Sequence, residues 1–488
     1  MAIHEPGASS PAGLRGGGHG QRFARALGAW DLTLLTIGGI MGSGLFLASG
    51  LAIQSAGPAI VLLFALALIT MTVEIVALGE MSAADPVPGS FLVYARRVLG
   101  PGVTFVTGWI YWFSSVLTMS SEVTAAALLT RVWFSGIPLW AWALAYSSLI
   151  VGLNLFGVRS FGSIEGAMAA VKLIAILAFV ALGAAMVAGP WLHHPLPGAG
   201  LGALLGSAGP LVPHGLRGLG GAFLLVLFAY AGTGIVGMAA AEMRDPARNI
   251  PRSVATIVPL VGIMYLGSAV LLITMRPWSQ APTASSPFVA ALGATGLPFV
   301  AGVMNVVLLL AVLSTMNAAL YANVRVLYTL AAEGQAPRGL GRLNRQGVPA
   351  RATAASAILL AATVVLAMVL PHRAYAYLIT ATGFQAMFVW LVVLGTHLRY
   401  RPYLLARGRT VAYRLRGYPY TTIFAMLVVL AALGGILLAG HDLPAAVVGL
   451  AGIILAGLAW VVLRHRLPAV PDPAGQGPSG VRGGSSPP

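Results

Sequence analysis

Residues 38–44 read GGIMGSG, and residues 231–237 read AGTGIVG. Each cluster interrupts a stretch of about 20 mostly apolar residues, the length that crosses a bilayer as a helix. Glycine weakens a helix and lets backbone approach a neighbour or a ligand closely. A single such cluster reads as small-residue packing between helices. The pair says more, because its two stretches are the first and sixth of twelve apolar segments: 29–53, 57–83, 104–130, 137–157, 164–188, 220–242, 253–275, 298–329, 353–370, 375–397, 421–439 and 444–463. A five-helix unit crosses the membrane an odd number of times, so a second copy is inverted. Matching interruptions in two such halves point to the binding site of a secondary transporter. Unwinding frees N–H and C=O groups that lipid cannot satisfy, so they must line a cavity or meet a ligand. Half-helix N-termini favour a carboxylate and freed carbonyls favour an ammonium. An amino acid satisfies both.

Composition agrees. Of 488 residues, 58% are hydrophobic and 8% charged, against about 25% charged in a soluble domain. An ordinary water-soluble enzyme is excluded. The chain has no cysteine, which removes disulfides, thiolate metal sites and cysteine nucleophiles. The 61 glycines follow no collagen-like period and suit close helix packing in lipid. The net charge of +16 suggests an acidic partner until the charges are placed. With an N-terminus inside and twelve alternating spans, 23 arginines fall on the inner side and four (Arg131, Arg217, Arg276 and Arg373) outside. That is a positive-inside pattern, and it predicts both termini in the cytoplasm. No folded basic domain is left to bind nucleic acid. The Gly-, Pro- and Ser-rich tails 1–25 and 466–488 are expected to be disordered. A polar leading segment before a full-length first span predicts no cleavable signal.

Lys172 is the only lysine. It stands about eight residues into the fifth span, roughly 12 Å deep at the helical rise, too deep to snorkel easily. An ionisable group at that depth is a functional candidate.

Several segments resemble one family. TIGGIMGSGLFLASGLAIQSAGPA (36–59), ALGEMSAADPVPGSFLVYARRVLGP (77–101), TGWIYW (107–112), FGSIEGAMAAVK (161–172), AAAEMRDPARNIP (239–251), LSTMNAALYANVRVLYTLAAEGQAP (313–337) and LNRQGVP (343–349) are similar, in order, to amino acid permeases of the amino acid–polyamine–organocation superfamily, in particular to the bacterial amino acid transporter subgroup. The resemblance implies an all-α polytopic fold of twelve transmembrane helices. Ten would form two inverted, leucine-transporter-like repeats, 26–188 and 220–398, joined by an extracytoplasmic loop 189–219. Residues 399–465, a basic loop and two peripheral helices, would follow. It also implies that Gly38, Ile40, Gly42, Ser43 and Gly44 bind the substrate carboxylate. Ala231, Thr233 and Gly234 would meet the amino group and side chain. Phe228 and Tyr230 would be aromatic gates, or ordinary packing residues.

By the same similarity Lys172 falls where sodium-independent relatives place a lysine, its ammonium standing in for a cation between the first, fifth and eighth spans. Ser314 and Thr315 match the positions that would face it. The expectation is proton coupling through Lys172, the alternative a fixed structural cation. Glu122 matches a family acid and is the first candidate partner in a polar pathway. Glu242 would close the cytoplasmic side against loop arginines, and Glu80 would have a structural or gating role. Glu74 departs from the pattern. Many relatives carry an acid just after the Gly-Thr of the sixth span, where this chain has Gly234, so neutral substrates are favoured.

The predicted function is therefore import of amino acids across a bacterial inner membrane by proton symport and alternating access. The partners are the amino acid, protons and the lipid bilayer. Proton-independent exchange is the alternative within transport. A membrane-embedded enzyme or a channel is more remote. All nine histidines fall in tails, loops or span ends, no Ser/His/Asp set forms at one depth, and His193–His194 alone makes a poor metal site. With no GxxxxGK[ST] phosphate loop, ATP-driven pumping is unsupported; no cofactor is expected.

Overall fold

The structure, a computed structural model, describes residues 27–155, 158–188, 200–207, 209–283, 285–294, 298–344, 348–369, 374–409, 411–439 and 443–465. Both tails and His193 and His194 lie outside the described residues. The regular structure among the described residues is helical, apart from one isolated parallel bridge between Leu27 and Met243. Among them, seven helical stretches are long and apolar enough to cross a membrane, and four shorter apolar helices accompany them. Leu62, Leu427 and Val462 are at least 60% exposed. Such side chains facing outward from long apolar helices require a lipid surround.

A helix occupies every expected segment. The first is broken into α1 (Ala29–Ile40), α2 (Ser43–Phe46) and α3 (Ala48–Ala56), followed by α4 (Ile60–Ala84). The short α5 (Phe91–Leu99) buries Phe91, Leu92, Tyr94 and Ala95 and carries Arg96 and Arg97 in its last turn, where cations complement the helix dipole. Gly100, at φ +94°, turns the chain into α6 (Pro101–Thr130), with proline at the first helical position, where a missing N–H costs nothing. α7 (Leu139–Leu155) and α8 (Val158–Ala188) follow.

Then come α9 (Gly215–Ala229), a non-helical turn over 230–234, α10 (Ile235–Met238) and α11 (Pro246–Met275). A short α12 (Pro287–Gly293) precedes α13 (Pro298–Ala332), α14 (Ala350–Val369) and α15 (Ala374–Ala406), and α16 (Tyr420–Ala439) and α17 (Leu443–Leu463) end the bundle. α15 continues nine residues past the expected end at 397, so His397 is fully buried within a helix and not at a span end.

The two broken helices touch. Gly232 has φ +111°, and a Cβ there would stand 2.6 Å from the carbonyl oxygen of Gly39. Only glycine fits that left-handed conformation and that approach. The start of the first broken helix is tied to the end of the second: Leu27 N donates to Glu242 O at 3.1 Å and Arg244 N to Leu27 O at 2.9 Å. α1 packs on α8, α11 and α13, while α6 and α13 form the most extensive helix pair.

Candidate substrate and cation site

At Met41 the backbone leaves the helix (φ −87°, ψ 86°), and Gly42 is extended. Carbonyls of Gly38 and Met41 thereby lose their helical partners. The Lys172 ammonium, buried on α8, takes their place, with Nζ 2.6 Å from Gly38 O, 3.2 Å from Met41 O and 3.4 Å from Ala311 O. Thr315 Oγ1 is 3.3 Å from Nζ and also lies 3.0 and 2.7 Å from Gly38 O and Met41 O. Four oxygens from α1, its break and α13 thus surround one buried cation, the compensation that a desolvated charge requires. Tyr265 OH donates to the carbonyls of both breaks, to Ile40 at 3.1 Å and Ala229 at 2.8 Å.

On the other side of the break Glu122, from α6, accepts from Ser43 N at 2.9 Å and from Ser43 Oγ at 3.0 Å. Its carboxylate occupies the N-terminus of α2, where a bound carboxylate is expected. A Cβ at Gly42 would meet Thr315 Cγ2 at 2.7 Å and collide with Glu122, so glycine lets the two side chains close on the break.

Between the breaks lies a cavity of about 90 Å³, room for several water molecules. Ile40, Gly42, Gly44, Phe228, Ala231 and Gly234 line it, with Glu122 and Thr315. Four expected binding residues stand elsewhere. Gly38 faces the Glu165 carboxylate, and Ser43 engages Glu122. Thr233 is fully buried outside the lining. Tyr230 also lies outside it: its OH donates to Phe64 O at 3.1 Å and its ring packs on Tyr265, centroids 4.5 Å apart. Tyr230 is therefore a packing residue here, and Phe228 is the one of the two aromatic candidates that reaches the cavity.

Ser314 does not face Lys172. Its Oγ donates to Glu165 Oε1 at 2.6 Å, and Asn317 Nδ2 donates to Glu165 Oε2 at 2.8 Å. Adjacent residues on a helix point about 100° apart, so Thr315 and Ser314 serve different partners. Sequence reasoning passes over Glu165. It precedes Lys172 by seven residues, two helical turns on the same face of α8, and that spacing is the signal that could find it. Glu165 and Glu122 both act on Lys172 electrostatically.

Three further acids tie distant segments together. Glu242 accepts from Arg325 Nη2 at 2.7 Å and Tyr321 OH at 3.1 Å, so its partner arginine lies within α13 and not in a loop. Glu80 accepts from Leu415 N at 2.7 Å and lies 3.3 Å from Arg401 Nε and His397 Nε2. Asp85 joins Arg97, Tyr400 OH at 2.6 Å and Arg409 Nη1 at 3.0 Å. No group of three or more potential metal ligands occurs among the described residues.

The amino acid permease family model matches residues 31–441. The chain belongs to that family. This permease is 36% identical over 403 residues to a probable GABA permease of Pseudomonas aeruginosa, covering 82% of this chain and 84% of that one. It is 31% identical over 448 residues to the L-asparagine permease of Escherichia coli (91% and 89%). It is 33% identical over 417 residues to the aromatic amino acid transport protein AroP of Salmonella typhimurium (85% and 90%). The permease is thus a multi-pass membrane protein of a family that transports amino acids.

Proposed function

We propose that this permease imports amino acids across a bacterial inner membrane by proton symport with alternating access. Its repeats 26–188 and 220–398 would be inverted around the site, the loop 189–219 outside, residues 399–465 peripheral and both termini cytoplasmic. The observation that carries the reading is Lys172 Nζ at 2.6 Å from Gly38 O and 3.2 Å from Met41 O. A titratable cation coordinates the carbonyls freed by the break, so its proton occupancy is linked to the shape of the helix that binds substrate. Glu122 holds Ser43 N until a substrate carboxylate displaces it, and the two anions then compete for one helix terminus. Arg325, Tyr321 and Glu242 would close the inner side.

The three named relatives carry different amino acids, so family membership leaves the substrate open. Glycine at 234 in place of an acid supports net-neutral substrates. The test is uptake into proteoliposomes of labelled alanine, proline, phenylalanine, 4-aminobutyrate and lysine, with and without an imposed pH gradient. Accumulation of a net-neutral substrate only with the gradient is expected. Counterflow without net uptake would make the protein an exchanger, and no movement of any amino acid would refute the reading.

A further inference from the structure

Glu74 is the acid that neither the resemblance nor the tying of distant segments accounts for. It lies mid-way along α4, between Val73 and Ile75, and is 1% exposed. Buried carboxylates elsewhere in the bundle have donors: Glu122 has Ser43, and Glu165 has Ser314 and Asn317. Glu74 Oε2 has no hydrogen-bond partner. The Thr233 hydroxyl is the one hydrogen-bonding side chain beside it. Glu74 lines the cavity between the two breaks, as do Tyr111, Phe91 and Gly234. A Cβ at Gly234 would meet Tyr111 and Phe91 at 3.7 and 3.8 Å. Glycine there adds no side chain to the cavity that Glu74 also lines. A desolvated carboxylate with an unpartnered oxygen is costly, and in a membrane protein such a group marks a substrate or ion pathway.

We propose that Glu74 is a specificity-determining residue of the binding site, a subsite for a primary ammonium carried on a carbon remote from the substrate's carboxylate. The inference rests on the transport reading above. The carboxylate end goes to the break at Gly42–Gly44 and the α-amino position, where present, to the carbonyls of the second break. The far ammonium goes to Glu74. Two substrate classes carry that group: ω-amino acids, which are net-neutral, and basic amino acids. The ω-amino acid is the better match to a site that already holds Lys172.

Proteoliposome uptake of labelled 4-aminobutyrate, lysine and alanine by the wild type, Glu74→Gln and Glu74→Asp tests this. The wild type is expected to carry 4-aminobutyrate, lysine or both. In Glu74→Gln the ratio of their uptake to that of alanine is expected to fall about tenfold, whereas Glu74→Asp, which keeps the charge, holds more of it. 4-Aminobutyrate alone identifies the ω-amino class, and lysine alone the basic class. The inference is overturned if alanine is carried and neither ammonium compound is, or if the ratio falls less than threefold. Should Glu74→Gln not fold, thermal shifts of the wild type decide: a larger stabilisation by either ammonium compound than by alanine supports the subsite, and an equal or smaller one overturns it. A wild type that moves no amino acid refutes the transport reading instead.

Discussion

Lys172 Nζ lies 2.6 Å from the carbonyl oxygen of Gly38, so the only lysine of the chain closes a gap opened by a glycine cluster 134 residues away. Thr315 Oγ1 sits within 3.0 Å of both Gly38 O and Met41 O and completes the arrangement. Thr315→Val keeps the shape and removes the hydroxyl. It should weaken the site by about 1–3 kcal/mol, the cost of leaving a buried polar group unsatisfied. Uptake measured at saturating pH gradient should drop about tenfold or more, and the melting temperature should fall.

Glu122→Gln keeps the size of the side chain and removes its charge. Two oxygens now serve Ser43 N and Oγ. An amide offers one acceptor, and its NH₂ group faces a donor. Gradient-driven uptake should fall relative to counterflow by about tenfold, the equivalent of about 1.4 kcal/mol. Paired measurements in the same vesicles give the ratio directly.

Gly232→Ala places a Cβ 2.6 Å from Gly39 O on a residue at φ +111°. The left-handed backbone alone costs about 1–2 kcal/mol with a side chain, and the contact adds to it. Transport should be lost and thermal stability reduced. Gly152→Ala, on α7 with nothing within 4 Å of its Cβ, should instead leave uptake unchanged and stabilise by about 0.5–1 kcal/mol.

The Asp85 cluster, at the end of α4, predicts a pH dependence. Burial raises the affinity of this carboxyl for a proton, but the Tyr400 hydrogen bond and the Arg97 and Arg409 charges outweigh it and hold Asp85 below its ordinary value. A group depressed in the folded state stabilises the fold above its unfolded value, near pH 3.9. That contribution is lost as pH falls through the folded value. Asp85→Asn should therefore lower stability at pH 7 by about 1–3 kcal/mol. The gap between variant and wild type in thermal melts should narrow below about pH 4.

The breaks and the cation were legible because each was an exception to its surroundings: glycines inside apolar spans, and one lysine at a depth that the charge rule leaves unexplained. The roles of neighbours were not. Ser314 and Thr315 are adjacent in sequence but diverge around α13, to Glu165 and to Lys172. Tyr230 lies beside Ala229 and Ala231, both of which line the cavity, yet it points to Phe64. Glu165 and Glu74 each lie on a helix rich in apolar residues, and which face receives a donor depends on tertiary packing that periodicity does not encode. The partners of Glu242 and Glu80 come from residues 83 and 321 positions away, a separation beyond any local motif.

The most direct test of the account is pH-gradient-driven amino acid accumulation in proteoliposomes containing wild type or Lys172→Gln. The amide introduced by this substitution keeps a hydrogen-bond donor on the same helix, one bond shorter, and it carries no titratable proton. The account predicts that accumulation driven by the gradient is abolished in the variant while substrate binding remains detectable. Undiminished gradient-driven accumulation by Lys172→Gln would contradict it.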